Sequence, residues 1–247
     1  MRPSRILILG GTRDARELAA ALIAEGRDVI TSLAGVTENP VLPLGDVRRG
    51  GFGGVEGLVR YLRDNAIAAI ADATHPFAAQ MSAQAAAAAR QARIPILRLE
   101  RPQWQPQDGD RWIMVQTAAE AVAALPAGAR VLLTTGRKEL ETFLARSDVS
   151  GIARMIERPG RELPDSWTLL LDRPPYSVEG EAELITRHAI THVVTKNAGG
   201  DDTSAKLTAA RLLQQPVVMI ARPPKPEVPV FPAVKEFIPS LRRVLLP

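Results

Sequence analysis

The feature that most constrains this chain is the alternation of short apolar runs with helical segments along its 247 residues. Such alternation is typical of an α/β protein, in which helices join parallel strands and cover both faces of the sheet. In the first half, the predicted strands are residues 5–9, 28–33, 68–73 and 96–99, and the predicted helices are residues 14–25, 55–65 and 77–93. This pattern predicts one parallel sheet for the first half.

A second alternating series follows the segment RPQWQPQDGDR, which we interpret as a linker because it is polar and has no periodicity. The predicted strands are residues 112–115, 130–134, 153–156, 168–171, 191–195 and 217–221, and the predicted helices are 118–125, 138–146, 178–188 and 203–214. A proline-rich extended segment at 223–232 and an amphipathic helix at 233–246 follow. We predict two domains, 1–103 and 104–247, with the proline-rich tail in the second.

Charge and composition narrow the classes of ligand. The chain has 31 Lys and Arg against 27 Asp and Glu, a net charge of +4, three His and no Cys. Because the basic residues are scattered, we expect an anionic small molecule as ligand and no nucleic acid. Without cysteine, disulfides and thiolate metal sites are excluded, and we expect no metal. No stretch approaches the ~18 apolar residues of a membrane span, so we expect a cytoplasmic protein with no membrane contact.

The segment RILILGGTRDARELAAAL predicts a strand, a glycine turn and a helix. In a dinucleotide-binding fold such a turn brings backbone N–H groups and a helix N-terminus against a pyrophosphate. The spacing departs from G-x-G-x-x-G, so Gly11 would have to supply the close approach, while Thr12 and Arg13 could contact phosphate. The alternative is an ordinary β–α turn in which Asp14 caps the helix.

The end of the second predicted strand bears on cofactor choice. NAD sites place Asp or Glu there, but this chain has TSLAGVT, with no carboxylate before Glu38, so NADP is favoured. Ser32 and Thr37 are candidate donors to a 2′-phosphate, and Arg13, Arg48 or Arg49 could supply charge. The cluster RRGGFGG either approaches the cofactor closely or forms a flexible turn before a helix.

The segment DATHPFA places a carboxylate, a hydroxyl and an imidazole where the third strand of this series ends. Ligands of such folds bind at the carboxyl edge of the sheet, so Asp72, Thr74 and His75 are site candidates. Alternatively, Asp72 or Thr74 caps the next helix and His75 is a loop residue.

Three loops of the second half combine hydroxyls, glycines and cations in TTGRKELE, RPPYSVEGE and TKNAGGDDTSAK. Together they could form an anion-binding wall, although each lysine taken alone could be a solvated surface charge. The candidate residues are Arg137, Lys138, Tyr176, Ser177, Lys196 and Lys206. No catalytic Ser-His-Asp order, P-loop or paired-carboxylate signature is present.

Taken in order, ILILGGTRDAREL, SLAGVT, RRGGFGG, DATHPFA, RLERPQW, TTGRKEL and TKNAGG resemble the precorrin-6A reductases of cobalamin biosynthesis from Ile6 to about Ala221. The resemblance implies two Rossmann-like α/β domains with parallel sheets flanked by helices and a ligand cleft between them. It also implies an NADPH-dependent oxidoreductase that delivers hydride to a macrocyclic double bond of precorrin-6A. The ligand implied is a polycarboxylate tetrapyrrole, and a monomer that passes its product to neighbouring pathway enzymes is compatible with the sequence.

The resemblance and the motifs together predict the site residues. The predicted cofactor-binding residues are Gly10, Gly11, Thr12, Arg13, Asp14, Ser32, Leu33, Ala34, Gly35, Thr37, Gly51, Phe52, Gly53, Ala73, Thr74, Pro76 and Phe77. The predicted substrate-binding residues are Thr135, Gly136, Arg137, Lys138, Tyr176, Ser177, Lys196, Asn197 and Lys206. For the proton, Asp72, His75 and Lys196 are the candidate catalytic donors, with solvent water as the alternative.

The chain departs from the family pattern at two places. Val36 stands where many members have Arg after the Ala-Gly turn, and Asn197 and Ala198 stand where an acidic residue and Ser are common. Two rival functions stay open, a non-catalytic NADP-sensing protein and another NADP-linked Rossmann oxidoreductase. The second rival predicts a Tyr-x-x-x-Lys pair, but neither Tyr61 nor Tyr176 has Lys four residues later.

Overall fold

A computed structural model describes residues 5–35 and 41–245 and divides the chain into two compact units. One unit comprises Met1–Pro102 together with Pro223–Pro247, and the other comprises Gln103–Arg222. The chain passes from the first unit to the second between Pro102 and Gln103, one residue before the predicted boundary between residues 103 and 104. The prediction that the tail belongs to the second domain is wrong, because the tail is part of the first unit.

Twelve strands and eight helices lie in the described residues. In chain order they are β1 (Arg5–Leu9), α1 (Arg13–Ala24), β2 (Val29–Leu33), β3 (Asp46–Arg49), α2 (Gly54–Asp64), β4 (Ile67–Asp72), α3 (Ala79–Ala92), β5 (Ile96–Leu99), β6 (Trp112–Val115), α4 (Ala118–Ala123), β7 (Arg130–Leu133), α5 (Arg137–Leu144), β8 (Ser150–Met155), β9 (Trp167–Leu171), α6 (Val178–Arg187), β10 (His192–Lys196), α7 (Ala205–Leu212), β11 (Val217–Ile220), β12 (Val230–Phe231) and α8 (Val234–Leu245). Among them, no helix is long and apolar enough to cross a membrane.

The first unit contains a six-stranded parallel sheet in the order β3-β2-β1-β4-β5-β12. Ile6 and Ile8 of β1 pack with α1 and α8 on one face, and Leu7 and Leu9 pack with α2 and α3 on the other. Side chains alternate along a strand, so an uninterrupted apolar run such as ILIL produces a strand that is buried on both faces. The strand order reverses between β1 and β4, the point where such folds bind ligands.

Two edge strands of this sheet were not predicted. The segment DVRR forms β3, although its two arginines and neighbouring glycines were interpreted as a loop. The proline-rich tail forms β12, in which Val230 and Phe231 pair with Arg98 and Leu99 of β5. Edge strands need no apolar run, since one side has no neighbouring strand and a face can stay exposed, so neither carries the pattern that reveals the central strands.

The second unit contains another six-stranded parallel sheet, in the order β6-β11-β10-β7-β8-β9. Its order reverses between β7 and β10. Leu132, Val193 and Met219 pack with α6 and α7, while α4 contacts β6 and β11. The predicted α/β class with two parallel sheets flanked by helices is confirmed for both units.

Candidate functional site

The turn between β1 and α1 lies at the point where the strand order of the first sheet reverses. A Cβ on Gly10 would come within 2.8 Å of Thr31 Cγ2, and Gly11 has φ +107° with open space beside it. The first glycine therefore permits close packing on β2, and the second permits a backbone turn that L side chains rarely adopt. These are the conditions for backbone N–H groups to approach a phosphate.

The side-chain hydroxyl of Thr12, the residue that follows the two glycines, makes two hydrogen bonds. Its Oγ1 accepts from the N–H of Ala15 at 3.0 Å, which caps α1, and donates to the carbonyl of Ala73 at 2.9 Å. Thr12 is thus the helix cap that the alternative interpretation had assigned to Asp14. The contact also joins two predicted cofactor segments, the glycine turn and DATHPFA.

The charged residues of the turn have partners within the first unit. Arg13 Nε lies 2.7 Å from Glu17 Oε1 on the exposed side of α1. Asp14 accepts from Arg101 Nη1 at 2.8 Å, which ties the start of α1 to the segment after β5. Both residues lie at the turn, as predicted.

The ends of β2 and β3 lie side by side, and Ser32 is in register with Arg48. Arg48 Nη1 donates to Ser32 Oγ at 2.7 Å and to the carbonyl of Gly50 at 2.9 Å, and Nη2 donates to the carbonyl of Gly51 at 3.0 Å. Its guanidinium carbon lies 3.9 Å from the centre of the Phe52 ring. Arg48 therefore organises the RRGGFGG segment against the end of β2.

The SLAG turn lies against the same segment. The carbonyl of the buried Leu33 accepts from the N–H of Gly50 at 2.9 Å, and a Cβ on Gly35 would lie 3.6 Å from that nitrogen. Ala34 is exposed, and Gly53, with φ +78°, precedes α2 without a capping side chain. The structure thus brings the SLAG and GGFGG predictions together, while Thr37 lies outside the described residues.

Asp72, at the end of β4, is fully buried and its carboxylate has three side-chain neighbours. Arg98 Nε donates to Oδ2 at 3.0 Å, and the hydroxyl of Thr74 donates to Oδ1 at 2.7 Å. Burial raises the pKa of Asp72, but hydrogen bonds from Thr74, Ser82 and Arg98 outweigh it, and the net pKa is lowered. The carboxylate therefore stays ionised, which favours a structural role over the predicted role as proton donor.

His75 is the exposed residue of DATHPFA. Its Nδ1 accepts from the N–H of Phe77 at 3.2 Å, and the two rings lie 5.9 Å apart. With Nδ1 as an acceptor, the neutral ring carries its proton on Nε2. Ala73 and Pro76 are buried, and α3 begins at Ala79 rather than at residue 77.

In the second unit, the TTGRK loop leads from β7 into α5. Gly136 occupies the N-cap with φ +87° and, as a glycine, has no side chain with which to cap the helix. The buried hydroxyl of Thr135 has no hydrogen-bond partner within the described part of the chain. Lys138 is exposed in the first turn, and Arg137 Nη2 lies 3.9 Å from Glu157 Oε2. An uncapped helix N-terminus with two cations can bind a carboxylate.

The TKNAGG segment begins in the last two residues of β10 and continues into the loop that follows, and its two predicted substrate residues contact other protein groups. Lys196 Nζ lies 2.7 Å from Glu139 Oε2 in the first turn of α5. The buried Asn197 accepts from the N–H of Trp104 at 2.9 Å and donates to its carbonyl at 3.1 Å. Both ends of this carboxamide hold the linker, so Asn197 is a positioning residue.

Lys206, a predicted substrate-binding residue, does not lie on the surface of its loop. Its side chain is buried, Nζ donates to the carbonyl of Thr203 and lies 4.8 Å from the centre of a Trp104 ring. Burial and the nearby Arg154 together lower the pKa of Lys206 to about 7, against the opposing effect of Glu181. A lysine buried beside an aromatic ring was not indicated by its position in a polar loop.

Arg154 and Glu181 form a buried ion pair that the sequence analysis missed. Arg154 Nη1 lies 2.5 Å from Glu181 Oε1, and the guanidinium carbon lies 3.9 Å from the centre of the Tyr176 ring. Ser177 caps α6 by accepting from the N–H of Gly180 at 3.1 Å, so its hydroxyl has a structural role. Arg154 lies among apolar residues in the strand SGIARM, and a charged residue in a buried strand normally has a buried partner. This was the feature of the sequence that could have indicated the ion pair.

These observations define an α/β protein with two Rossmann-like sheets and a glycine turn of the dinucleotide-binding type. The chain belongs to the precorrin-6x reductase CbiJ/CobK family, whose sequence profile matches residues 5–242.

Individual relatives extend over most of the chain. A precorrin-6A reductase of Rhodococcus erythropolis is 48% identical over 225 residues, which cover 90% of this chain and 91% of the relative. One of Rhodobacter capsulatus is 46% identical over 225 residues, with 90% of each chain covered. The solved structure of CobK precorrin-6A reductase superposes with a TM-score of 0.93 at 43% identity and covers 98% of this chain and 97% of its own.

Proposed function

We propose that this protein is an NADPH-dependent precorrin-6A reductase of cobalamin biosynthesis, which transfers hydride to a macrocyclic double bond to give a dihydro-precorrin-6A. The observation that carries the proposal is the similarity to CobK precorrin-6A reductase over 98% of this chain. The name of that relative supplies the substrate class, and the geometry of each unit supports a part of the chemistry.

The first unit fits a dinucleotide. Gly11 leaves open space at the turn where the strand order reverses, and no described residue at the end of β2 offers a carboxylate to a ribose 2′-hydroxyl. Residues Gly10 to Asp14 would hold the pyrophosphate, and Ser32 to Gly35 would lie against the adenosine ribose. When bound, NADPH supplies the hydride.

The second unit fits the carboxylates of a tetrapyrrole. The N-cap residue Gly136 offers no side chain to the N–H groups at the start of α5, and Arg137 and Lys138 add positive charge there. Thr135 offers a hydroxyl with no acceptor among the described residues. These groups would bind and orient the substrate, which is the main contribution a protein makes to a hydride transfer.

His75 is the candidate that best retains the role of proton donor. Asp72 is ionised and buried, and Lys196 is paired with Glu139. The ring of His75 is exposed at the carboxyl edge of the first sheet, and it would donate from Nε2 as the imidazolium, after Nδ1 has taken up a proton and given up its bond from the N–H of Phe77. Solvent water is the alternative donor, so replacing His75 distinguishes the two.

Anaerobic mixing of the purified protein with precorrin-6A and either NADPH or NADH tests the proposal. We expect loss of NADPH absorbance coupled to a change in the macrocycle spectrum, and slower oxidation of NADH. Binding of NADPH without oxidation would contradict the reductase assignment and favour a sensing role. Equal rates with the two nicotinamides would contradict the cofactor preference alone.

For the proton, the matched comparison is His75→Gln against wild type, measured as the rate of NADPH oxidation at saturating NADPH and precorrin-6A. A rate reduced by about 10²-fold, with NADPH affinity unchanged, would support His75 as donor. A rate within about twofold of wild type would assign the proton to solvent instead.

A further inference from the structure

This chain has Val36 where many family members have an arginine after the Ala-Gly turn, so another cation would have to bind a 2′-phosphate. Among the candidate arginines, Arg48 has the most suitable geometry. Resting on the proposed use of NADPH, we propose that Arg48, held by Ser32 and Phe52, recognises the 2′-phosphate and sets the preference for NADPH over NADH.

The position of Arg48 is the first support. It lies on β3 in register with Ser32, at the carboxyl end of β2 where dinucleotide folds bind the 2′ position of the ribose. Its Nη1 donates to Ser32 Oγ at 2.7 Å. The hydroxyl and the guanidinium therefore form one pair of polar groups at that edge.

The unused donors of Arg48 are the second support. A guanidinium has five N–H groups. The three observed bonds use both N–H groups of Nη1 and one of Nη2, which leaves one on Nη2 and one on Nε without an acceptor among the described residues. Two N–H groups on adjacent nitrogens match two oxygens of a phosphate.

The charge of Arg48 is the third support. In residues 5–35 and 41–245, no Asp or Glu forms an ion pair with it, and its acceptors are a hydroxyl and two backbone carbonyls. A guanidinium keeps its positive charge at every physiological pH. A partly buried cation without a carboxylate partner would be neutralised by a phosphate.

Two aromatic rings hold the guanidinium in this geometry. Its carbon lies 3.9 Å from the centre of the Phe52 ring and 5.1 Å from that of Tyr61, and the two rings contact each other edge to face at 5.2 Å. A guanidinium packed on aromatic faces loses fewer side-chain conformations when a ligand binds. The site is thus organised before the phosphate arrives.

The other candidate arginines are less suited. Arg13 pairs with Glu17 on the exposed side of α1. Arg49 follows Arg48 in β3, and successive side chains of a strand point to opposite faces. Arg48 is the member of this pair that contacts Ser32.

Calorimetric titration with 2′,5′-ADP and 5′-AMP tests the proposal without any substrate, because these two probes differ in the 2′-phosphate. Wild type should bind 2′,5′-ADP more tightly. Arg48→Gln should weaken 2′,5′-ADP by at least about tenfold and change 5′-AMP by no more than about twofold, since it removes a charged donor pair. Arg60→Gln, on the exposed surface of α2, is the control with the same charge change and should leave both affinities unchanged.

Arg48→Lys guards against a folding defect in the first variant. It keeps the charge but loses the two-nitrogen edge, and we expect a smaller loss for 2′,5′-ADP than with Gln. The proposal is overturned if the Arg48 variants keep the wild-type preference, if they weaken both probes equally, or if Arg49→Gln abolishes the preference instead. A wild type that binds both probes equally would contradict the NADPH assignment itself, so the two failures are distinguishable.

Discussion

The two parallel sheets end in loops of different chemistry. In the first sheet, Thr12 caps α1 with its own hydroxyl, and glycines with positive φ expose the backbone at the turn. In the second sheet, α5 begins at Gly136 with no capping side chain and with Arg137 and Lys138 in its first turn. The comparison indicates that the first sheet is suited to phosphates held by backbone, and the second to carboxylates held by side-chain charge and a helix N-terminus.

Each unit contains a buried ion pair, and in the described residues each pair leaves one atom without a hydrogen-bond partner, the cation's Nη2 in Arg98 and the carboxylate's Oε2 in Glu181. Asp72 and Arg98 pair in the first unit with added hydrogen bonds from Thr74, so the carboxylate is well satisfied. In the second unit, Arg154 pairs with Glu181, but Glu181 Oε2 has no hydrogen-bond partner in the described residues. The first pair fixes the ends of β4 and β5, while the second belongs to a larger set of charges that includes Lys206.

Deleting the residues after Pro223 should have the largest effect on the first unit. The deletion removes β12 and uncovers the face where Phe237 and Leu241 are buried, each worth ~1.5–3 kcal/mol. All three tryptophans lie in the second unit, so far-UV circular dichroism and tryptophan fluorescence separate the two units.

We expect the truncated chain to lose helical signal or become insoluble, while any folded second unit keeps its fluorescence transition. Phe237→Ala is a milder test, with an expected loss of ~3–5 kcal/mol. A soluble truncated protein with an unchanged melting temperature would contradict this prediction.

Replacing Arg98 by Met should have the next largest effect, about 3–5 kcal/mol, because it leaves the Asp72 carboxylate buried without a counter-charge. It also removes the bond from Arg98 Nη1 to the carbonyl of Pro226, which holds the tail. The measurement is the urea midpoint by circular dichroism. Arg90→Met, at an exposed position of α3, should stay within about 0.5 kcal/mol, and equal stability of the two variants would refute the assigned role.

Some of the residues that define the two sheets could be predicted from the sequence, and others could not. Gly11 and His75 were located correctly because a strand, a turn and a helix are local patterns that place them at a sheet edge. Arg98 and Arg154 were not, since their partners lie 26 and 27 residues away and only tertiary packing makes the pairs. The strand β12 was missed for a related reason, because its pairing with β5 carries no apolar periodicity.

Neutralising both cations of the second sheet's glycine loop should affect substrate binding only. For Arg137→Gln combined with Lys138→Gln, we expect KM for precorrin-6A to rise by at least about tenfold, with NADPH affinity unchanged. The matched control, Lys235→Gln with Arg243→Gln on exposed positions of α8, removes the same charge from the first unit. If the control raises KM equally, net charge rather than this loop attracts the substrate.

The smallest effect should be a pH dependence that belongs to the second unit. Lys206 has its pKa lowered to about 7 by burial, whereas an unfolded lysine has a pKa of 10.5. Above pH 7 the folded state therefore holds fewer protons than the unfolded state, so the stability of this unit should rise with pH, by at most about 1.4 kcal/mol per pH unit.

Urea midpoints by tryptophan fluorescence at pH 6.5, 7.5 and 8.5 measure this slope, and Lys206→Met should flatten it. His192, whose pKa burial also lowers, is present in both proteins, so the difference isolates Lys206. An identical slope in the two proteins would show that the amine of Lys206 does not lose its proton in the folded state, and that Glu181 compensates its charge more fully than Arg154 opposes it.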